Sequence, residues 1–106
     1  MIRLKETIDE KVLEEYGFDK RHVSEWDSKR RCACYRTVYS YDFYKIYSGN
    51  FQSVEVYIEP FINAYGQIVH NAREVVANQH SFKVDKAVNL IAKLITKGIF
   101  EYIDKE

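Results

Sequence analysis

"RCACYRTVYSYDFYKIYSGNFQSVEVYIE", residues 31–59, decides the fold. Six of the nine tyrosines fall in it, together with Thr37, Val38, Ile46, Val54, Val56 and Ile58. Branched and aromatic side chains of this kind suit a pleated, half-buried surface, so the stretch reads as β-structure. "SVEVYIE" (53–59) alternates most clearly, with Val54, Val56 and Ile58 on one face and Glu55, Tyr57 and Glu59 on the other. "SGN" at 48–50 is a hairpin turn signal that separates it from "DFYKIYS". A turn or bulge is expected near Ser40–Asp42, because strands usually run for about 5–6 residues. Trp26 is assigned to an earlier strand near residues 22–26, with "DSK" turning into the next.

Working outward, Thr7 and Glu10 have the spacing of a capping box. Ile8, Val12, Leu13 and Tyr16 follow on one helical face, which predicts a short helix over about residues 8–16. Gly17 suits the left-handed position after that helix, and Phe18 the hydrophobic contact that accompanies it. On the far side, "INAYGQIVHN" (62–71) reads as strand, turn, strand. Phe61, Tyr65, Ile68, Ala72 and Val75 also recur at helical spacing behind Pro60; Gly66 and the Val75–Val76 pair favour the hairpin. Val84, Ala87, Val88, Ile91, Leu94 and Ile95 form an apolar stripe of a longer helix, with Asp85 as its N-cap and Gly98 as its end. "IFEYI" (99–103) adds a last strand. The predicted class is α+β: one domain over 1–106, an antiparallel sheet of three to five strands, and a short N-terminal and a longer C-terminal helix packed on it.

The charge balance excludes a strong global field. Sixteen basic and sixteen acidic residues cancel, whereas a dedicated polyanion binder carries an excess of cations. The distribution is uneven: residues 1–19 carry three cations and six anions, and residues 20–50 carry seven cations and three anions. No run approaches the roughly 20 apolar residues of a membrane span. With no apolar leader and two cysteines, a reducing, cytoplasmic setting is expected.

Cys32 and Cys34, two apart on a strand, point to the same face. They supply half of a zinc ligand set that His22, His70 or His80 would have to complete; the expectation is two buried thiols, with no metal and no cofactor. Lys29, Arg30 and Arg31, with Arg36 and the tyrosines Tyr35, Tyr39 and Tyr41, form the candidate interaction surface. Tyrosine and arginine are the residue types enriched at binding hot spots. The same residues would serve a nucleic-acid-binding module, aromatic rings stacking bases and cations following phosphate. Glu55 and Glu59 are expected to make a charged outer strand face that discourages edge pairing. No HExxH, GxSxG, phosphate loop or dinucleotide fingerprint occurs, so a small enzyme or metal protein is the third reading.

"LKETIDEKVLEEYGF" (4–18) and "VNLIAKLITKGIFEYI" (88–103) resemble small phage- and prophage-encoded proteins of Gram-positive bacteria. The resemblance lies in helix-capping patterns at the two ends and transfers no catalytic residue. It implies an intracellular accessory protein. The leading expectation is therefore a non-catalytic module acting by protein–protein contact, on an unidentified partner or on a second copy of itself.

Overall fold

The computed structural model describes residues 1–27, 32–43, 51–63, 65–80 and 86–103. It is an α+β fold in which every strand pairing is antiparallel. Strand β1 (Ile2–Leu4) leads through turns to helix α1 (Val12–Glu15). Strands β2 (Asp19–Asp27), β3 (Cys32–Asp42) and β4 (Phe51–Tyr57) follow. Then come the hairpin of β5 (Phe61–Ile62) and β6 (Ile68–His70), and strand β7 (Val75–His80). Helix α2 (Lys86–Thr96) and strand β8 (Phe100–Tyr102) close the order. Among the described residues, four strands form the main sheet in the order β2-β3-β4-β7, while β1 pairs with β8 and β5 with β6.

The alternation read in 53–59 is real: Val54 and Val56 are fully buried, and Glu55 and Tyr57 point the other way, half-buried. Register then carries the dry face across the sheet, since Tyr41 lies opposite Val54, Tyr39 opposite Val56, and Val56 opposite Val75. Leu13 of α1, Phe18, Ala87, Ile91 and Leu94 of α2, and Leu4 and Phe100 from the β1–β8 pair complete one core with that face. Burial of each large aliphatic side chain contributes about 1.5–3 kcal/mol. No helix among the described residues is long and apolar enough to cross a membrane.

Both helices end as their glycines predict. Phe18 N–H bonds to Leu13 O at 3.0 Å and Gly17 N–H to Glu14 O at 3.1 Å. Ile99 N–H likewise bonds to Leu94 O at 2.9 Å, and Gly98 N–H to Ile95 O at 3.0 Å. This paired pattern needs a left-handed residue, and Gly17 and Gly98 have φ of 92° and 77°. At Gly17 a side chain would also meet Tyr41, whose Cε2 lies 3.0 Å from the Cβ position.

Several expectations are corrected. The capping box does not form: Asp9, not Thr7, turns the chain, its Oδ1 accepting from Lys11 N–H at 2.9 Å. The helix is also shorter than 8–16, and the reason is chemical. The Ile8 carbonyl, which a longer helix would offer to Val12 N–H, is taken by the Arg73 guanidinium, and Val12 turns to Asp9 O at 3.0 Å instead. Strand β3 runs unbroken through Ser40–Asp42, because it lies between β2 and β4 and Ser40 pairs with Asp19 on one side and Glu55 on the other. The strand near Trp26 starts earlier, at Asp19. Strand β4 is interior, so Glu55 guards no edge; it accepts a hydrogen bond from the Tyr57 hydroxyl at 3.1 Å, and Glu59 is exposed beyond the strand. The hairpin reading of 62–71 holds over the helical one. Val88, placed in the buried stripe of α2, is 52% exposed. The N-cap at Asp85, the turn at 48–50 and residues 28 and 29 of the expected "DSK" turn lie outside the described residues, while Asp27 ends β2.

A fully buried glutamine, Gln52, performs the capping at α2. Its Oε1 accepts the Ala87 N–H at 2.9 Å, joining the first turn of the helix to the centre of the sheet. Helix N-termini carry unsatisfied donors, and here one of them is met from a strand rather than from the neighbouring chain.

Candidate functional site

The second face of the main sheet carries the more reactive side chains. Arg36 and Val38 of β3 point to it, and Tyr57 of β4 lies opposite Val38 in the register. The β5–β6 hairpin folds back onto this face. Its His70 ring stacks on Tyr57, with centroids 4.2 Å apart and planes 17° apart, and Phe61 lies 6.4 Å from His70. The Arg36 guanidinium carbon sits 6.0 Å from the Phe61 ring centroid. Four side chains from three separate segments thus form one continuous aromatic–cationic row.

Beneath the row, His70 Nδ1 meets the Glu74 carboxylate at 2.5 Å, and Asn71 Nδ2 donates to the other oxygen at 3.4 Å. Glu74 is only 9% exposed, so the carboxylate is held between two donors in a largely dry place. A carboxylate that fixes Nδ1 orients the imidazole, as it does in acid–base sites. Among the described residues, however, the ring makes no hydrogen bond to a hydroxyl or thiol, so no nucleophile is set beside it. The pair works as an anchor for the hairpin.

The outer side of the hairpin is apolar. Ile62, Tyr65, Ile68 and Val69 are 46%, 88%, 59% and 46% exposed. Ile62 lies opposite Ile68, Phe61 opposite His70, and the pairing skips Val69. A bulge of this kind re-aims a side chain. The tip is rigid in its bonding. Asn63 Oδ1 accepts from Tyr65 N–H at 2.9 Å and from Gln67 N–H at 3.0 Å, while Asn63 N–H bonds to Gln67 O at 2.9 Å. Gly66, with φ of 78°, supplies the left-handed turn position.

The residues singled out in sequence divide differently. Arg36 joins the row. Tyr39 does not belong to an exposed face: at 1% exposure it is a core residue, lying opposite Val56 beneath the helices. Tyr41 faces the same way, packing edge-on against Phe18 at 5.6 Å and in a tilted arrangement against Phe43 at 4.8 Å. Lys29, Arg30, Arg31 and the side chain of Tyr35 lie outside the described residues. Cys32 and Cys34 are on β3, but their side chains, like that of His80, are outside the described residues too. His22 is exposed on the edge strand β2. His70, Phe61 and Glu74 were not recognised as a unit in sequence, and no spacing rule would have united them.

Tyr39 gives a measurable signature of the core. Burial, and then the carboxylates of Glu10, Glu14 and Asp9, hold its phenol above its ordinary value, and Glu10 also accepts its hydrogen bond. The folded protein therefore keeps this proton to higher pH than the unfolded chain. The associated stability is intact below about pH 10 and is lost as pH rises further. Tyr39→Phe should flatten the alkaline fall in stability, read as the urea midpoint from about pH 9 to 11. An unchanged slope would contradict this placement.

No protein-family model matches the chain, and neither a curated protein nor a solved structure matches it. The reading of its function rests on the site itself.

Proposed function

We propose that the chain is a small non-catalytic accessory protein that acts by protein–protein contact, with the β5–β6 hairpin as its contact element. The observation that carries this is the exposure of Ile62, Tyr65, Ile68 and Val69 together on one short, internally braced hairpin. Single exposed apolar residues are ordinary on a protein surface, whereas a contiguous apolar patch marks an interaction site. Bracing matters equally. A hairpin pinned by Asn63 at its tip and by Tyr57, His70 and Glu74 at its base loses little conformational freedom on binding, which favours affinity. The resemblance of the two ends to phage and prophage proteins fits an accessory role inside a bacterial host. The partner is a different protein; a second copy of this chain is the variant of the same reading.

Tyr65 is the natural reporter, being the most exposed of the four. A photo-crosslinking phenylalanine analogue in its place should give one dominant adduct in cells of the native host. Ile68→Asp should abolish that adduct while leaving the thermal unfolding temperature within a few degrees, since Ile68 is 59% exposed. Adducts spread evenly over many abundant proteins, or one adduct indifferent to Ile68→Asp, would defeat the proposal. A dimer-sized adduct composed only of this chain would select the self-association variant.

A further inference from the structure

One donor of Arg36 meets no acceptor among the described residues. Its Nε is buried and meets no hydrogen-bond acceptor among the described residues, and no ion pair to Arg36 is formed among them. Two carboxylates of this face are otherwise engaged, Glu55 accepting from Tyr57 and Glu74 from His70 and Asn71. Glu59, exposed beyond β4, makes no ion pair with Arg36 among the described residues. A buried donor left unmet costs about 1–3 kcal/mol, and more when it belongs to a charged group. The guanidinium carbon lies 6.0 Å from the Phe61 ring centroid. A planar guanidinium with an unmet donor, on the sheet face that the hairpin covers, is suited to an anion.

We infer that Arg36 is the socket for a carboxylate, an aspartate or glutamate side chain that the protein partner presents from an apolar surface. The inference rests on the contact reading above and gives the partner its chemistry. Guanidinium and carboxylate meet through two parallel hydrogen bonds, which fixes orientation as well as charge. Phe61, beside Arg36, belongs to the same hairpin as the exposed Ile62 and Ile68, which links the socket to the contact element. A phosphate chain suits the place less well. Glu55 and Glu74 stand in the same cluster and repel a polyanion, and His70 and Tyr57 have spent one ring face each on stacking together. A phosphate chain meets that repulsion at every nucleotide, whereas a single carboxylate bonded to Arg36 meets it once.

The test uses the whole chain and two blocked leucine-rich peptides, identical except for a central aspartate or asparagine. The Arg36 Nε–H resonance is followed during titration. The expected result is that the aspartate peptide shifts it and binds at least about tenfold tighter than the asparagine peptide, a factor of ten being the scale of one good charge-assisted pair. Arg36→Gln should erase the preference, and Arg36→Lys, which keeps the charge but not the fork, should retain only part of it. Ile68→Ser should weaken both peptides alike and leave their ratio unchanged. Equal binding of the two peptides, or no response from Arg36 to either, overturns the carboxylate socket. Tighter binding of single-stranded oligothymidylate than of the aspartate peptide at physiological salt overturns it in favour of phosphate. The crosslinking at Tyr65 is independent of Arg36, so it reports on the contact reading whether or not the socket survives.

Discussion

Gln52→Leu is expected to lower the stability of the protein by about 2–4 kcal/mol, although leucine fills nearly the same space. Gln52 is fully exposed to neither solvent nor loop; it is 0% accessible, and its Oε1 takes the N–H of Ala87, itself 0% accessible. Leucine removes the acceptor and leaves that donor stranded at a helix start, where the remedy of local water is closed off. The strand and helix are also uncoupled, because this bond is a polar link between β4 and α2 inside an otherwise apolar core. Urea unfolding followed by far-ultraviolet circular dichroism measures the effect. Gln52→Glu tests the mechanism further: it retains an acceptor, but brings an ionisable group into a dry place, so its deficit should shrink as pH falls and the carboxyl takes a proton. A midpoint for Gln52→Leu within a few tenths of a kcal/mol of the parent would show that the cap contributes nothing.

Arg73 carries the second large effect. Its side chain donates to three backbone carbonyls, Leu4 at 3.2 Å, Lys5 at 2.5 Å, and Ile8. Those three residues span the whole connection from β1 to the turns before α1. Arg73 holds this connection while adopting φ of 65°, a left-handed conformation that costs a side-chain-bearing residue about 1–2 kcal/mol. The conformation is enforced by the backbone on both sides, Arg73 N–H bonding to Tyr57 O at 2.5 Å and its carbonyl accepting from Leu4 N–H at 2.8 Å. Arg73→Ala should therefore cost about 3 kcal/mol, since it removes three charge-assisted bonds and keeps the strain. Arg73→Gly removes the same bonds but relieves the strain, so it should be more stable than Arg73→Ala by about 1 kcal/mol. Hydrogen exchange at Ile8 and Val12 should accelerate in both variants. If alanine equals or exceeds glycine, the strain is absent and the account of this residue fails.

What the sequence made legible was local. Alternation in 53–59 identified the dry row Val54 and Val56, because a strand has a period of two whatever surrounds it. Gly17 and Gly98 announced the helix ends, because a left-handed residue is a demand of the backbone at that point. What stayed hidden was remote. Arg73 truncates α1 from 65 residues away, and Gln52 caps α2 from 35 away, and neither act leaves a trace in the neighbourhood it controls. The misplaced tyrosine face has the same cause. Alternation shows that Tyr39 and Tyr41 share a side of β3, but not which side is dry. Val38 and Tyr39, adjacent and pointing oppositely, are both 1% exposed, so β3 is covered on its two faces. The candidate site was half visible: Arg36 stood out by its charge, whereas Phe61, His70 and Glu74 meet it only through the fold of a hairpin whose helical alternative was open in the sequence.

The pairing of β1 with β8, in which Ile2 lies opposite Tyr102 and Leu4 opposite Phe100, has a temporal consequence. During synthesis β1 emerges well before β8, and the two can pair only once β8 has left the ribosome. Leu4 and Phe100 both belong to the central core, so that core stays incomplete until translation has passed Tyr102. Pairing β1 with β8 therefore closes a loop that contains every other described element, and it does so as a late step.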